Sequence, residues 1–262
     1  MGLVQTRRGL LWIADADRSA KGDNRPALLV IHGAGGSRLS WPRSIRLIDG
    51  WRVLTVDLPG HGRSGGTGRS SAAEYAADLF ALLEALQLER VIAAGHSLGG
   101  AIALQMALDM PETAAGLILI ATGAKLSVRA DFLDALQSDP VNAAAVLNEM
   151  MFGGQTAPEL KDANLALLRV AAQTLHGDFW AAHTFDVRDR LSAISAPTLI
   201  MVGSEDVMTP PTYSHYLQAR LPNAVLHQFA GAGHNVHLEQ PDAVGAALRE
   251  WLARWEARPS IS

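Results

Sequence analysis

The chain has no cysteine among its 262 residues. That excludes disulfides, thiolate metal sites and a cysteine nucleophile. It has no run of basic residues, and its formal net charge is −4, which argues against nucleic acid or an anionic membrane as a partner. No stretch approaches the roughly 18 continuous apolar residues that would suggest a membrane span. The opening segment "MGLVQTRRGLLWIADAD" has only a short apolar run before Asp15 and Asp17. It lacks the long apolar core and small-residue cleavage site of a secretory signal. The expectation is a cytoplasmic protein, and the sequence is silent on oligomeric state. There are no internal repeats and no low-complexity linker.

What is present suits a globular enzyme. Apolar residues make up 48% of the chain and charged residues 18%, ordinary proportions for a soluble domain. The length is ample for a well-buried core. Seven short apolar runs read as strands: 9–15, 27–33, 52–58, 90–96, 115–121, 197–203 and 224–230. Most are continuous rather than alternating, as expected of strands buried on both faces. Helical patterns separate them at 71–88, 99–110 and 240–257. In the first, Ser71 and Glu74 have the spacing of a capping box, and Pro241 stands near the start of the last. Alternation of strands and helices implies a mainly parallel sheet covered on both faces. Residues 123–195 break this alternation. They show helical patterns at 129–138, 141–152 and 158–176 and no clear strand, which implies a helical insertion before the last two strands.

"GHSLG" at 95–99 places Ser97 between a strand-like run and a helix-like run, in the pattern G-x-S-x-G. A serine on so sharp a turn is pushed towards strained backbone angles, and small neighbours let strand and helix approach each other. The turn would lift the hydroxyl above the carboxyl end of the sheet, where a helix N-terminus favours developing negative charge. "GAGGS" at 33–37 lacks the endings of nucleotide-binding loops.

Four blocks in one order carry a resemblance over residues 9 to 256: "VIHGAGGS" (30–37), "VDLPGHGRS" (56–64), "AAGHSLGGA" (93–101), and "VGSEDVMTP" with "GAGHNVHLEQP" (202–210 and 231–241). On these the chain resembles the α/β-hydrolase family, in its lid-bearing serine esterase and lactonase branch. The resemblance implies an α/β-hydrolase core at 1–122 and 196–262 with a helical cap, or lid, at 123–195. It implies a catalytic triad of Ser97, Asp206 and His234. Residues 117–130 contain no Asp or Glu, which leaves the acid after the strand 197–203; Glu205 is the rival there, and the family spacing of four residues before a proline selects Asp206 before Pro210. The implied oxyanion donors are the backbone N–H groups of Ala34 and Leu98. Trp41, Met150, Trp180 and Val207 are candidate pocket walls. Among other apolar insertion residues, Met151, Phe152 and Phe179 could serve in lid packing or in the wall.

The other histidines of the motif blocks read as structural, and His176, His183, His215 and His227 as surface or lid residues, with His183 a candidate for lining the pocket. His32 braces the oxyanion loop, Asp57 and His61 brace their own turn, His96 points away from the nucleophile, and His237 packs at the start of the last helix. His234 and His237 have no acidic or thiolate partner at metal-ligand spacing, so neither a metal nor any cofactor is expected. The expected activity is hydrolysis of carboxylic esters or lactones of small to medium apolar substrates. Two alternatives remain: a carbon–carbon bond hydrolase of the same fold, although the oxyanion loop lacks that group's usual proline, and a non-catalytic ligand-binding protein. Aspartate-nucleophile dehalogenases and epoxide hydrolases are disfavoured by Ser97, and the epoxide hydrolases also by the absence of tyrosine from 125–195.

Overall fold

A computed structural model of the chain describes residues 1–256 apart from Gly22 and Arg169. The end of the expected last helix, at residue 257, lies outside the described residues. Eight strands form one sheet: β1 (Gly2–Thr6), β2 (Gly9–Asp17), β3 (Ala27–Ile31), β4 (Arg52–Asp57), β5 (Val91–His96), β6 (Ala114–Ile120), β7 (Thr198–Gly203) and β8 (Ala224–Phe229). Their spatial order is β1-β2-β4-β3-β5-β6-β7-β8. From β4 to β8 all neighbours are parallel, while β1–β2 and β2–β4 are antiparallel. The continuous apolar runs are the central strands. Every residue of β3, β5, β6 and β7 is buried. β1 is absent from the sequence expectation because "GLVQT" is a short edge strand, exposed at alternate positions.

The remaining elements are helices. α1 (Arg43–Arg46) precedes β4, α2 (Ala72–Ala85) follows it, and α3 (Leu98–Asp109) follows β5. Between β6 and β7 come α4 (Ala130–Ser138), α5 (Pro140–Met150), α6 (Pro158–Leu167) and α7 (Ala172–Thr184). α8 (Pro211–Arg220), α9 (Val236–Glu239) and α10 (Pro241–Glu256) complete the described part of the chain. One apolar layer joins Tyr75, Leu79 and Leu82 of α2 and Ala101 and Ile102 of α3 to one face of the sheet. The other face packs against Ile45 of α1 and Val244, Leu248 and Trp251 of α10. No helix among the described residues is long and apolar enough to cross a membrane.

The helices α4–α7 have an apolar cluster of their own, containing Leu133, Leu136, Leu147, Phe152, Leu175 and Phe179. The single helix expected at 158–176 is two helices. α6 stops at Leu167, and Leu168 and Val170 turn inward to pack against this cluster beside Gly35. Tertiary packing overrides a continuous helical propensity there.

Strand order positions the site. The chain runs from β3 outward to β4, then crosses back to place β5 on the other side of β3. Loops leaving β3 and β5 at their carboxyl ends therefore emerge side by side at a topological switch point, where open α/β sheets bind ligands. Ile31 and Gly95 are register partners, so "HGAGGS" and "HSLG" diverge from adjacent strand ends.

Candidate active site

Ser97 lies between β5 and α3 with φ 53° and ψ −118°, one of three non-glycine residues with positive φ among those described. The conformation is costly for an L-residue and persists only where its surroundings over-determine it. Here its N–H donates to Ile120 O at 2.9 Å, and its carbonyl accepts from Gly100 N at 2.9 Å and from Thr122 Oγ1 at 2.8 Å. The two glycines flanking the serine have a steric cause. A Cβ on Gly95 would run into the Gly99 backbone, and one on Gly99 would run into the Ile31 carbonyl. Strand, turn and helix therefore pack closer than any side chain permits.

Asp206 follows β7 and His234 follows β8, and both are buried. His234 Nδ1 lies 2.9 Å from Asp206 Oδ2. Glu205, the rival acid, is exposed and instead accepts the Gly154 N–H at 2.8 Å. Asp206 Oδ1 accepts from the N–H groups of Met208 and Thr209, and Oδ2 accepts from the Thr209 hydroxyl at 2.8 Å. Burial alone would raise the Asp206 pKa. The neighbouring His234 and the Thr209 hydrogen bonds outweigh it and hold the carboxyl below its ordinary value. The carboxylate thus stays ionised, and as an acceptor it draws the imidazole proton to Nδ1. Thr209 is part of this arrangement, at 3.2 Å from His234 Nδ1, although its residue type gave no signal in the sequence. His234 Nε2 is buried with no hydrogen-bond partner among the described residues, and His234 and Ser97 line the same cavity.

Three other histidines support the site as neutral groups. His96 Nε2–H donates to the His234 carbonyl at 3.1 Å. Its pKa is pushed well down by burial and by the imidazoles of His237 and His234. His237, in α9, is pushed down to about 3 by burial and by His234. His32 is likewise pushed down to about 3, chiefly by burial. His32 Nε2 accepts the Leu58 N–H at 3.1 Å, so its Nδ1 carries the proton and donates to Gly33 O at 2.8 Å. Asp57 reaches beyond its own turn: it accepts from the Arg63 N–H but also from the Arg38 N–H and guanidinium.

The loop after β3 brings Ala34 to a small cavity of about 20 Å³ that Ser97, His234 and His237 also line, room for about one water. Leu98 is the first residue of α3, so its N–H is one of the unpaired donors of a helix N-terminus. Among the described residues, neither the Ala34 nor the Leu98 N–H has another acceptor.

The larger cavity has a volume of about 550 Å³. Its wall is mainly apolar, with Leu126, Val128, Phe132, Leu147, Phe179 and Met208 among the lining residues. Met150 and Val207 line it and are partly open to solvent. Two expected wall residues lie elsewhere. Trp41 is 1% exposed and sits in the core beneath the loop, its ring 4.9 Å from His237. Trp180 is 44% exposed and stacks on His176 on the outer side of α7. Its chain neighbour Phe179 faces the cavity, about 100° away around the helix. The charged lining residues, Arg129 and Asp131, are exposed and bonded to each other. Among the described residues no group of three acidic or histidine side chains could hold a metal ion.

A family model described as "Alpha/beta hydrolase family" matches residues 28–247. The chain belongs to the α/β-hydrolase family. This hydrolase is 32% identical over 245 residues to a protein of Pseudomonas syringae pv. syringae that carries the name of a carbamate hydrolase, RutD, covering 87% of this chain and 94% of the relative. It is 28% identical over 263 residues to a 2-hydroxy-6-oxononadienedioate/2-hydroxy-6-oxononatrienedioate hydrolase of Burkholderia vietnamiensis, covering 89% of each. Among solved structures, a thermophilic esterase from Thermogutta terrifontis superposes with a TM-score of 0.85 at 25% identity, over 96% of this chain and 97% of that one.

Proposed function

We propose that this hydrolase cleaves carboxylic esters, lactones included, of small to medium apolar substrates through Ser97, His234 and Asp206. The observation that carries the reading is that His234, whose Nε2 has no hydrogen-bond partner among the described residues, lines one cavity with Ser97, while its Nδ1 is tied to a buried, ionised Asp206. A serine hydroxyl is a weak nucleophile at neutral pH and needs such a base. His234 Nε2 takes the hydroxyl proton as Ser97 Oγ attacks the ester carbonyl. The tetrahedral oxyanion accepts from the Ala34 and Leu98 N–H groups. Collapse breaks the carbon–oxygen bond, and the His234 imidazolium protonates the departing alcohol. Water then enters, gives its proton to His234 and releases the acid from the acyl-enzyme. The neutral state of His96 and His237 leaves the transient positive charge on His234, next to Asp206.

The cavity argues for neutral acyl groups. Among the described residues its one cationic lining side chain, Arg129, is exposed and paired with Asp131, so these residues offer a buried substrate carboxylate no free cation. This bears on the second reading, carbon–carbon bond hydrolysis, which the Burkholderia relative favours: that relative is named for dioate substrates. The carbamate hydrolase name of the Pseudomonas relative fits the same acyl chemistry at a carbonyl. The segment between β6 and β7 supplies most of the cavity wall and acts as the lid at 123–195.

The test is turnover of p-nitrophenyl esters from acetate to decanoate by the wild-type protein and by Ser97→Ala. Turnover is expected in the wild type, with a preference set by the 550 Å³ cavity, and is expected to vanish in the variant. Wild-type rates in a Ser97→Ala preparation free of host esterases would overturn the assignment.

A further inference from the structure

Asp178 stands on α7, outside every motif block, and is buried to 1% exposure. Its carboxylate gathers three donors from three parts of the chain. Oδ2 accepts the Gly35 N–H at 2.8 Å and the His61 Nε2–H at 2.8 Å, and Oδ1 accepts the Tyr75 hydroxyl. His61 Nδ1 lies 3.0 Å from the Pro59 carbonyl. Both ring nitrogens of His61 thus face acceptors, which the imidazolium satisfies and the neutral ring does not. Burial works against that charge, but the Asp178 carboxylate outweighs it, so the His61 pKa is raised. The sequence reading confined His61 to its own turn; the structure extends it to the insertion.

We propose that Asp178 is a positioning residue for catalysis, setting the direction of the Ala34 N–H that binds the oxyanion. The inference rests on the serine-hydrolase reading above. It follows from the two peptide planes that flank the Ala34 Cα. Each peptide unit is planar, so fixing its carbonyl fixes its N–H. The first plane holds Gly33 C=O and Ala34 N–H, and its carbonyl accepts from His32 Nδ1 and from Gly36 N at 3.1 Å. The second plane holds Ala34 C=O and Gly35 N–H, and its N–H is the one Asp178 receives. With both planes held, φ and ψ of Ala34 are fixed and its N–H cannot swing. His32 holds one side from the sheet, and Asp178 holds the other from α7.

Packing points the same way. Leu175, one turn before Asp178 on α7, presses on the Gly35 backbone so closely that a Cβ there would lie 2.6 Å from Leu175 Cδ1. Gly35 itself has φ +65°, a left-handed conformation in which glycine carries no steric cost. A bond that served only to dock α7 could use any polar group on the sheet domain. This one uses the amide adjoining the proposed oxyanion donor, and stabilisation of a developing oxyanion depends steeply on donor placement.

The experiment compares wild type, Asp178→Asn, Asp178→Glu, Tyr75→Phe and Ser97→Ala on one p-nitrophenyl ester, with melting temperatures and inhibition by phenylboronic acid. Asp178→Asn is expected to lower kcat and kcat/KM together by about 10- to 100-fold, less than outright loss of an oxyanion donor. KM should stay within about twofold, and boronate inhibition should weaken in parallel. Asp178→Glu keeps a charge opposite His61 but displaces the carboxylate, so it should fold and still lose kcat. Tyr75→Phe removes a bond to Asp178 without touching Gly35; it should lower the melting temperature and leave kcat within about twofold. Both Asp178 variants at full kcat, or Tyr75→Phe matching their kcat loss, would reduce Asp178 to a structural anchor. Activity retained in Ser97→Ala would instead remove the underlying serine reading, so the two failures are distinguishable.

Discussion

Among the described residues two buried histidine–aspartate pairs have nearly equal lengths, 2.9 Å for His234–Asp206 and 2.8 Å for His61–Asp178. They differ in what the second ring nitrogen meets. In His234 it has no hydrogen-bond partner among the described residues, and the residue lines one cavity with Ser97. In His61 it meets the Pro59 carbonyl. The first pair can therefore accept a proton and give it back; in the second both ring nitrogens face acceptors, and the carboxylate favours the protonated ring. A buried His–Asp contact is thus not by itself a sign of acid–base chemistry. The role is decided by the nitrogen the aspartate does not touch.

The largest expected effect on this comparison comes from Asp206→Asn. The amide would still fill the space, but it can offer its NH₂ group to His234 Nδ1 and so draw the proton to the wrong nitrogen. Ester kcat should fall by roughly 10³- to 10⁴-fold with the fold retained. A loss below about tenfold, read in steady-state kinetics, would mean that Asp206 does not set the tautomer. The Asp178 variants come next, at about 10- to 100-fold in kcat.

The smallest effect is on stability against pH, where the two kinds of buried histidine act in opposite directions. His61 has a raised folded pKa, so its contribution is complete below the unfolded value of about 6.5 and is lost as pH rises through the folded value. His32 and His237 are pushed down to about 3. Their contribution is complete above about pH 6.5 and is lost as pH falls towards the folded values. The melting temperature should pass through a maximum near neutrality, and Asp178→Asn should flatten its alkaline side while sparing the acid side. An unchanged alkaline side in that variant would show that His61 is not held charged by Asp178.

The same contrast separates what was legible in the sequence from what was not. Ser97, Asp206 and His234 stand on turns at strand ends, where the backbone geometry demands glycine and proline at fixed offsets; such a turn leaves a mark in the sequence. The buried parallel strands leave one too, as continuous apolar runs. Asp178 leaves none. Its partners lie 143, 117 and 103 residues away, and an acidic residue within a helical pattern reads as solvent-facing until the packing is known. Direction around an element was equally hidden. Trp41 follows the loop after β3 in the chain, yet the short 3₁₀ turn Arg38–Ser40 delivers it into the core. Phe179 and Trp180 are adjacent in sequence, yet Phe179 faces the cavity and Trp180 faces solvent. The break between α6 and α7 arose from packing against Gly35, which no local propensity encodes.

The most direct test of the central claim is to label the protein with a fluorophosphonate and locate the adduct by peptide mass spectrometry, in wild type and Asp206→Asn. The account predicts a single adduct on Ser97, formed rapidly in the wild type and far more slowly in the variant. An adduct elsewhere, no adduct, or equal rates in the two proteins would contradict a serine activated by His234 and Asp206.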